Sequence, residues 1–291
     1  MKQSTSQYIS VGIPTYNSSK YLSSCLNSLI NLKMINEVIV SDDCSSNAEQ
    51  YKIEKIISDY SNKLPIKFLK NKENFGAYTN KFKLIENSLN EFIYVLDSDN
   101  LAAKNLDKII KNYVFKEKRK DIIFQPNIMY QFWKYPYLGM IFSNFFEKYK
   151  VKFFNEDTIL DFEKVYQSLI INSGSYDLSV LQTNLKLNQN RHHDKKDIML
   201  TKWIFWVLNC GNFIVNKESM VKVAEKGFEL DRSLRSVDAI VFTYLWLSKG
   251  NSIKVPKDFY HHHRKREDSV SFTEQEDSKK AIEYFIKKII E

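Results

Sequence analysis

Three short apolar runs in the first hundred residues each stop on a polar cluster, and amphipathic segments fill the gaps between them. Tyr8–Ile13 runs into Pro14-Thr15-Tyr16-Asn17, and Glu37–Val40 runs into Ser41-Asp42-Asp43-Cys44-Ser45-Ser46. Phe92–Leu96 runs into Asp97-Ser98-Asp99-Asn100. Between them, Tyr21, Leu22, Cys25, Leu26, Leu29 and Ile30 recur at helical spacing, as do Ile53, Ile56, Ile57 and Tyr60, and then Tyr78, Phe82, Ile85 and Leu89. A further strand is predicted at Ile66–Leu69, a helix on Leu106, Ile109, Ile110 and Tyr113, and a strand at Ile122–Phe124. This alternation predicts an α/β fold with a mostly parallel, doubly wound sheet flanked by helices. Such sheets bind ligands beyond the carboxyl ends of their strands, which is where all three polar clusters fall.

The second half is less regular. Residues 130–154 are crowded with aromatics and interleaved lysines, a pattern that fits core filling first, and an acceptor platform or membrane-surface patch second. Gly211–Val215 reads as a strand returning to the sheet. Ser236-Val237-Asp238 precedes a helix with Ile240, Val241, Tyr244, Leu245 and Leu247 that stops at Gly250. A polar, basic tail follows, His261-His262-His263-Arg264-Lys265-Arg266, then Ser269 and Ser271, and an amphipathic helix with Ile282, Phe285, Ile286, Ile289 and Ile290 on one face. The expected division is a nucleotide-binding half at 1–125, an acceptor-side half at 126–260 carrying the catalytic base, and a tail at 261–291.

Composition narrows the class. Apolar residues make up 43% of 291, with only 7 Gly and 5 Pro, so the chain is globular with a sizeable core. Cys25, Cys44 and Cys210 have no paired spacing, which argues against a disulfide scaffold or a zinc ribbon. No signal-peptide pattern and no bilayer-spanning apolar stretch are visible, so the expected location is the cytoplasm, with room for peripheral contact at the inner face of the membrane. A net charge of +8 favours phosphorylated ligands or anionic surfaces. No nucleic-acid-binding module is recognisable, and no pattern fixes an oligomeric state.

Asp97 and Asp99 are two hard oxygen donors on a turn after a buried strand, a pattern suited to Mg²⁺ or Mn²⁺ that also holds phosphate oxygens. The plain alternative is a solvated turn with capping carboxylates. The order of motifs decides between them. Val11-Gly12-Ile13-Pro14-Thr15-Tyr16-Asn17, then Val38-Ile39-Val40-Ser41-Asp42-Asp43-Cys44-Ser45, then Asn74-Phe75-Gly76 with Asn80, then Asp97-Ser98-Asp99, resembles the inverting family 2 glycosyltransferases with the GT-A fold. The resemblance covers roughly the first hundred residues strongly and the rest loosely.

The resemblance implies a nucleotide-sugar donor, a divalent cation (Mn²⁺ or Mg²⁺) and inversion at the anomeric carbon. By it, Pro14, Thr15, Tyr16 and Asn17 match the loop beneath the base, and Asp42, with Asp43 beside it, matches the carboxylate that accepts from uracil N3–H, which points to a UDP-sugar. Asn74, Gly76 and Asn80 match the segment passing near the ribose. Asp97, Ser98 and Asp99 match the metal motif. Asp238 matches the catalytic base, with Asp231 as rival and Val237 where relatives carry Glu. Arg264 or Arg266, with Ser269, matches a segment that closes over the diphosphate, and His263 matches a residue completing the metal shell. A zinc site built from these histidines and His192-His193 is not expected. The implied acceptor is a hydroxyl of a glycan or lipid-linked glycan, in a capsule, lipopolysaccharide or glycoprotein. Two rival readings are a nucleotidyltransferase of similar architecture, which would show a Gly-rich basic loop after the first strand, and a non-catalytic glycan- or membrane-binding protein on the same fold.

Overall fold

The computed structural model describes residues 7–132, 150–165, 210–229, 238–265 and 284. The predicted alternation is there. β1 (Ile9–Thr15), α1 (Ser19–Asn27), β2 (Ile35–Asp42), α2 (Asn47–Tyr60), β3 (Ile66–Lys70), α3 (Ala77–Glu86) and β4 (Phe92–Val95) follow one another. α4 (Leu106–Ile109) continues into a π-helical turn at Ile110–Val114, then come β5 (Ile122–Phe124), β6 (Ile128–Phe132), β7 (Lys150–Lys152) and β8 (Thr158–Leu160). β9 (Phe213–Asn216), α5 (Lys217–Ala224), a 3₁₀ turn at Glu225–Glu229, α6 (Asp238–Leu247), β10 (Ser252–Val255) and β11 (Tyr260–Arg264) complete the described chain.

The main sheet runs β3-β2-β1-β4-β9-β5-β10-β8. β1 lies parallel to β2 and β4, β2 to β3, and β5 to β10, while β9 runs antiparallel between β4 and β5. The chain therefore steps one way from β1 to β3 and then crosses to β4 on the other side, which leaves a switch point at the ends of β1 and β4. The expected strand at Gly211–Val215 is β9, and its place inside the sheet joins the two predicted halves in one layer.

Alternation along each strand feeds two cores. Ile9, Val11 and Ile13 pack with Leu22, Cys25, Leu26 and Leu106 on one face. On the other, Ile93, Val95, Phe213 and Val215 pack with Tyr78 and Phe82 of α3 and with Val241, Phe242 and Trp246 of α6. Gly12 makes that second face tight, since a Cβ there would sit 3.2 Å from Leu84 Cβ. α6 is apolar almost all round because it is buried almost all round. Its Phe242 ring stacks on Tyr78 at 4.3 Å, and Trp246 donates its Nε1–H to Ser252 O at 2.9 Å.

A second, three-stranded sheet in the order β11-β6-β7 corrects one expectation. His261–Arg264 is not part of a solvated tail but a buried strand paired in parallel with β6. His262 lies against the rings of Tyr130 at 5.6 Å and Tyr260 at 5.5 Å, and its backbone bridges Leu101. Burial, with the Lys104 ammonium nearby, pulls His262 down from 6.5 to about 4. Below pH 6.5 the unfolded chain therefore takes up a proton that the folded one refuses, and stability falls as pH drops from 6.5 towards about 4. The loss attributable to this residue is about 3 kcal/mol at its fullest. His262→Phe is expected to flatten that part of the stability–pH curve, as urea melts at neutral and mildly acidic pH would show. A loss as steep as wild type's would assign the acid sensitivity elsewhere.

Candidate active site

β4 delivers its carboxylates to the switch point through the turn Leu96-Asp97-Ser98-Asp99-Asn100. The turn is closed by Asn100 N–H donating to Asp97 O at 2.9 Å, and Asn212 Oδ1 accepts from Asp97 N–H at 2.9 Å. Hydroxyls tie the turn to the end of β1, with Thr15 Oγ1 and Ser18 Oγ 2.7 Å apart and Ser18 Oγ and Ser98 Oγ 2.9 Å apart.

The centre of the site is a lysine. Lys81 Nζ lies 2.7 Å from Asp97 Oδ1 and 2.6 Å from Asp238 Oδ2, and donates more weakly to Gly211 O at 3.4 Å. The Lys81 side chain is only 4% exposed, against 15% for Asp238 and 31% for Asp97, so the link to Asp238 is the drier of the two. Burial pulls the ammonium down, but Asp238 and then Asp97 outweigh it and hold Lys81 above its ordinary value. One ammonium between two carboxylates leaves a negative charge over. The more deeply buried carboxyl is the one whose ionisation is opposed: burial pushes Asp238 up, Lys81 pulls it back in part, and Asp97 adds to the rise. Gly211 makes room for the cluster, because a Cβ there would sit 2.5 Å from Asp97 Oδ2 and 3.0 Å from Lys81 Nζ.

The other predicted residues divide into those lining the switch point and those holding it up. Tyr16 is exposed on the loop after Pro14. Asn17 turns left-handed at φ 48°, takes a bond from its own N–H to Ser45 Oγ at 2.8 Å, and accepts from Ser46 N–H at 3.0 Å. Asp42 is fully buried, its carboxylate bound by Ser45 N–H at 3.1 Å and by Ser45 Oγ–H. Asp43 accepts from Asn71 Nδ2 at 2.8 Å, Phe75 N–H at 3.0 Å and Gly76 N–H at 2.8 Å, and so pins the loop that opens α3. Asn74 Oδ1 also accepts from Gly76 N–H, and Gly76 turns at φ 86°, where a side chain would strain the backbone. Asn80 is turned inward. Its Oδ1 accepts from Ser41 Oγ at 2.6 Å and its Nδ2 donates to Ser41 O at 3.0 Å, so its amide is spent inside the fold.

Arg264 corrects a second expectation. It does not lie on a segment free to close over a diphosphate. It is 9% exposed, with its guanidinium 4.9 Å from the Tyr21 ring and 4.5 Å from the Phe132 ring. Its Nε donates to Asp99 O at 3.0 Å, its Nη2 to Ser24 Oγ at 3.1 Å, and its backbone N–H to Asn100 Oδ1 at 3.1 Å. The arginine braces the turn from behind because a planar cation can stack on rings and still donate in its own plane. His261 and His263 share one face of β11, ring centroids 5.9 Å apart. His261 Nδ1 is 3.3 Å from Asn212 Nδ2, the same amide that steadies Asp97, which places this face of β11 against the turn. Asp231, Arg266, Ser269 and Ser271, together with His192 and His193, fall outside the described residues.

Sequence reasoning missed Lys81, Gly211 and Asn212. The signal for the lysine was present: Lys81 falls three residues after Tyr78 and four before Ile85, on the inward stripe of α3, where an unpaired cation would not be tolerated.

The comparisons with known proteins bear on the family and the fold. The family model for glycosyl transferase family 2 matches residues 10–165. An uncharacterized glycosyltransferase of Methanocaldococcus jannaschii is 29% identical over 222 residues, covering 74% of this chain and 69% of the relative. One of Mycoplasma genitalium is 32% identical over 130 residues, 43% of this chain and 42% of the relative. The poly(ribitol-phosphate) beta-N-acetylglucosaminyltransferase TarS of Staphylococcus aureus is 34% identical over 118 residues, but the match takes in 39% of this chain and only 20% of TarS. The solved structure of residues 1–349 of TarS with UDP superposes with a TM-score of 0.57 at 19% identity, over 97% of this chain and 65% of that one, and supports the fold. This chain thus spans less than half the length of several relatives it matches. Among the described residues no helix is long and apolar enough to cross a membrane. With more than half of its length matched by the family model, the chain belongs to glycosyl transferase family 2.

Proposed function

We propose that the chain is an inverting, metal-dependent glycosyltransferase that moves a sugar from a UDP-sugar to a hydroxyl of a surface glycan, working at the cytoplasmic face of a membrane. One observation carries the reading: at the switch point a largely buried carboxylate with a raised pKa, Asp238, is joined through Lys81 to Asp97 on the metal-motif turn. In this reading residues 1–125 hold the donor and 126–260 present the acceptor. Asp238 takes the proton of the acceptor hydroxyl as that oxygen attacks the anomeric carbon, whose bond to the diphosphate breaks with the electron pair leaving on UDP. Burial tunes Asp238 towards working pH, and Lys81 keeps it ionised there.

Donor chemistry supports a divalent cation. Asp97 has one oxygen committed to Lys81 and would offer its other, and Asp99 and His263 are the further residues that would hold Mn²⁺ or Mg²⁺ from the protein side. Among the described residues no three His, Cys, Asp or Glu side chains could hold a metal by themselves, so diphosphate oxygens and water would complete the shell. The ion would supply positive charge where the departing diphosphate gathers negative charge. Solved structures of similar fold support the nucleotide: TarS residues 1–349 were solved with UDP and with UDP-GlcNAc.

A thermal-shift panel of UDP-, GDP-, CDP- and dTDP-sugars, each with and without Mn²⁺, tests the reading. UDP-GlcNAc or another UDP-sugar with Mn²⁺ is expected to raise the melting temperature, since a ligand at a hundred times its Kd adds about 2.7 kcal/mol to the folded state. Stabilisation by GDP ligands alone would overturn the uridine assignment. Equal stabilisation with and without Mn²⁺ would overturn the metal.

A further inference from the structure

We propose that Lys81 is a positioning residue that sets the candidate base against the donor-side carboxylate, so that one ammonium fixes the spacing between the two halves of the reaction. The inference rests on the roles given above to Asp238 and Asp97.

The geometry carries it. Lys81 stands on α3, Asp97 on the turn after β4, and Asp238 in the first turn of α6. Each is distant in sequence from the others, and the lysine is the group that touches both carboxylates. With both oxygens on one nitrogen, the two carboxylates stand within about 5 Å of each other, a distance at which like charges in a dry site repel strongly. Without the ammonium they would move apart or one would neutralise.

The described elements around the pair are packed closely. Tyr78, one turn before Lys81, stacks on Phe242 of α6 and donates to Ala224 O at 2.5 Å, so α3 and α6 are locked together beside the ion pair. Asn212 holds the Asp97 backbone, and Gly211 leaves just enough room for the contact. A lysine that only filled core would not need a glycine cleared for it on one side and an amide steadying its partner on the other. A lysine that gripped the diphosphate would be expected at the surface of the cleft, whereas this one is nearly sealed.

The test uses the whole chain and two kinds of measurement. The first follows UDP release from UDP-GlcNAc with Mn²⁺, and UDP binding by titration. Lys81→Met is expected to lower kcat about a hundredfold, as a misplacement of about 1 Å can do, while UDP affinity stays within about threefold. Lys81→Arg, whose fork can bridge two carboxylates, is expected to recover most of that loss. In a D238N background K81M is expected to add less than about threefold, because the group it positions is gone.

The second measurement needs no turnover. K81M is expected to melt lower than wild type, and K81M/D238N and K81M/D97N to regain part of the loss, since each removes one of two unbalanced charges. Turnover of K81M within threefold of wild type would overturn the inference, as would a fall in UDP affinity as large as the fall in kcat, or losses that multiply in the double variant. Failure of both second-site changes to restore melting would overturn the bridge itself. Wild type that binds no nucleotide would instead overturn the functional reading, and the positioning role with it, while the melting series alone still decides whether Lys81 holds the two carboxylates together.

Discussion

Asp238→Asn is expected to cut UDP release about a thousandfold at saturating donor and to leave nucleotide affinity unchanged, because an amide cannot accept the acceptor's proton. Burial raises the Asp238 carboxyl above its usual range, so the acid limb of the wild-type rate profile should lie above that of an ordinary aspartate. The sign for stability is opposite to that for activity. A folded carboxyl with a raised pKa binds its proton more tightly than the unfolded one, so its ionisation lowers stability as pH climbs through the raised value. D238N therefore should melt no lower than wild type at neutral pH while losing nearly all turnover. Calorimetry and rate measurements on the same preparation check both halves, and full activity in D238N would remove Asp238 from the chemistry.

Arg264→Met is expected to act in the reverse order, on the fold before the ligand. The guanidinium is sandwiched near two rings and donates to Asp99 O and Ser24 Oγ, so its loss leaves part-buried acceptors without a donor and a gap behind the turn at residues 97–100. The cost is about 3 kcal/mol, a fall of about 5 °C in melting temperature for a chain of this length. Donor affinity should fall with it, since the Asp99 turn is no longer braced. An arginine that gripped a diphosphate would show the other signature, weak binding at unchanged stability, and thermal melts beside UDP titrations separate the two.

The fold was legible where burial repeats at a fixed period. The stripe through Tyr21, Leu22, Cys25 and Leu26 and the runs before residues 14, 41 and 97 mark elements that bury one face or both, and those became α1, β1, β2 and β4. The site was legible only as residue types gathered at one edge of the sheet. What decides between a ligand contact and a strut is which atoms are already engaged, and spacing carries no record of that. Asp43 and Asn80 carry the chemistry of binding residues but spend their atoms on Phe75, Gly76 and Ser41. Arg264 has the chemistry of a phosphate clamp and sits behind the turn instead. Lys81 was hidden by its neighbours: among Lys83 and other surface lysines of a basic chain, one inward cation looks like the rest until its partners at 97 and 238 are brought to it. β11 was obscured for a related reason, since four consecutive polar residues give no alternation, and their burial depends on rings supplied by β6.

The placement of β9 has a consequence for how the molecule comes into being. When the first 132 residues have left the ribosome, β4 and β5 have no strand to join them, because the one that fits between arrives some eighty residues later. Until then β4 offers a bare edge, and β5, whose other neighbour β10 comes later still, has no strand of the sheet to pair with. Closing such a distant pairing is slow, so the newborn chain passes through a stage exposed to self-association. A protein cut at the apparent midpoint would yield neither a donor-binding half nor an acceptor-binding half, but two halves of an unfinished sheet.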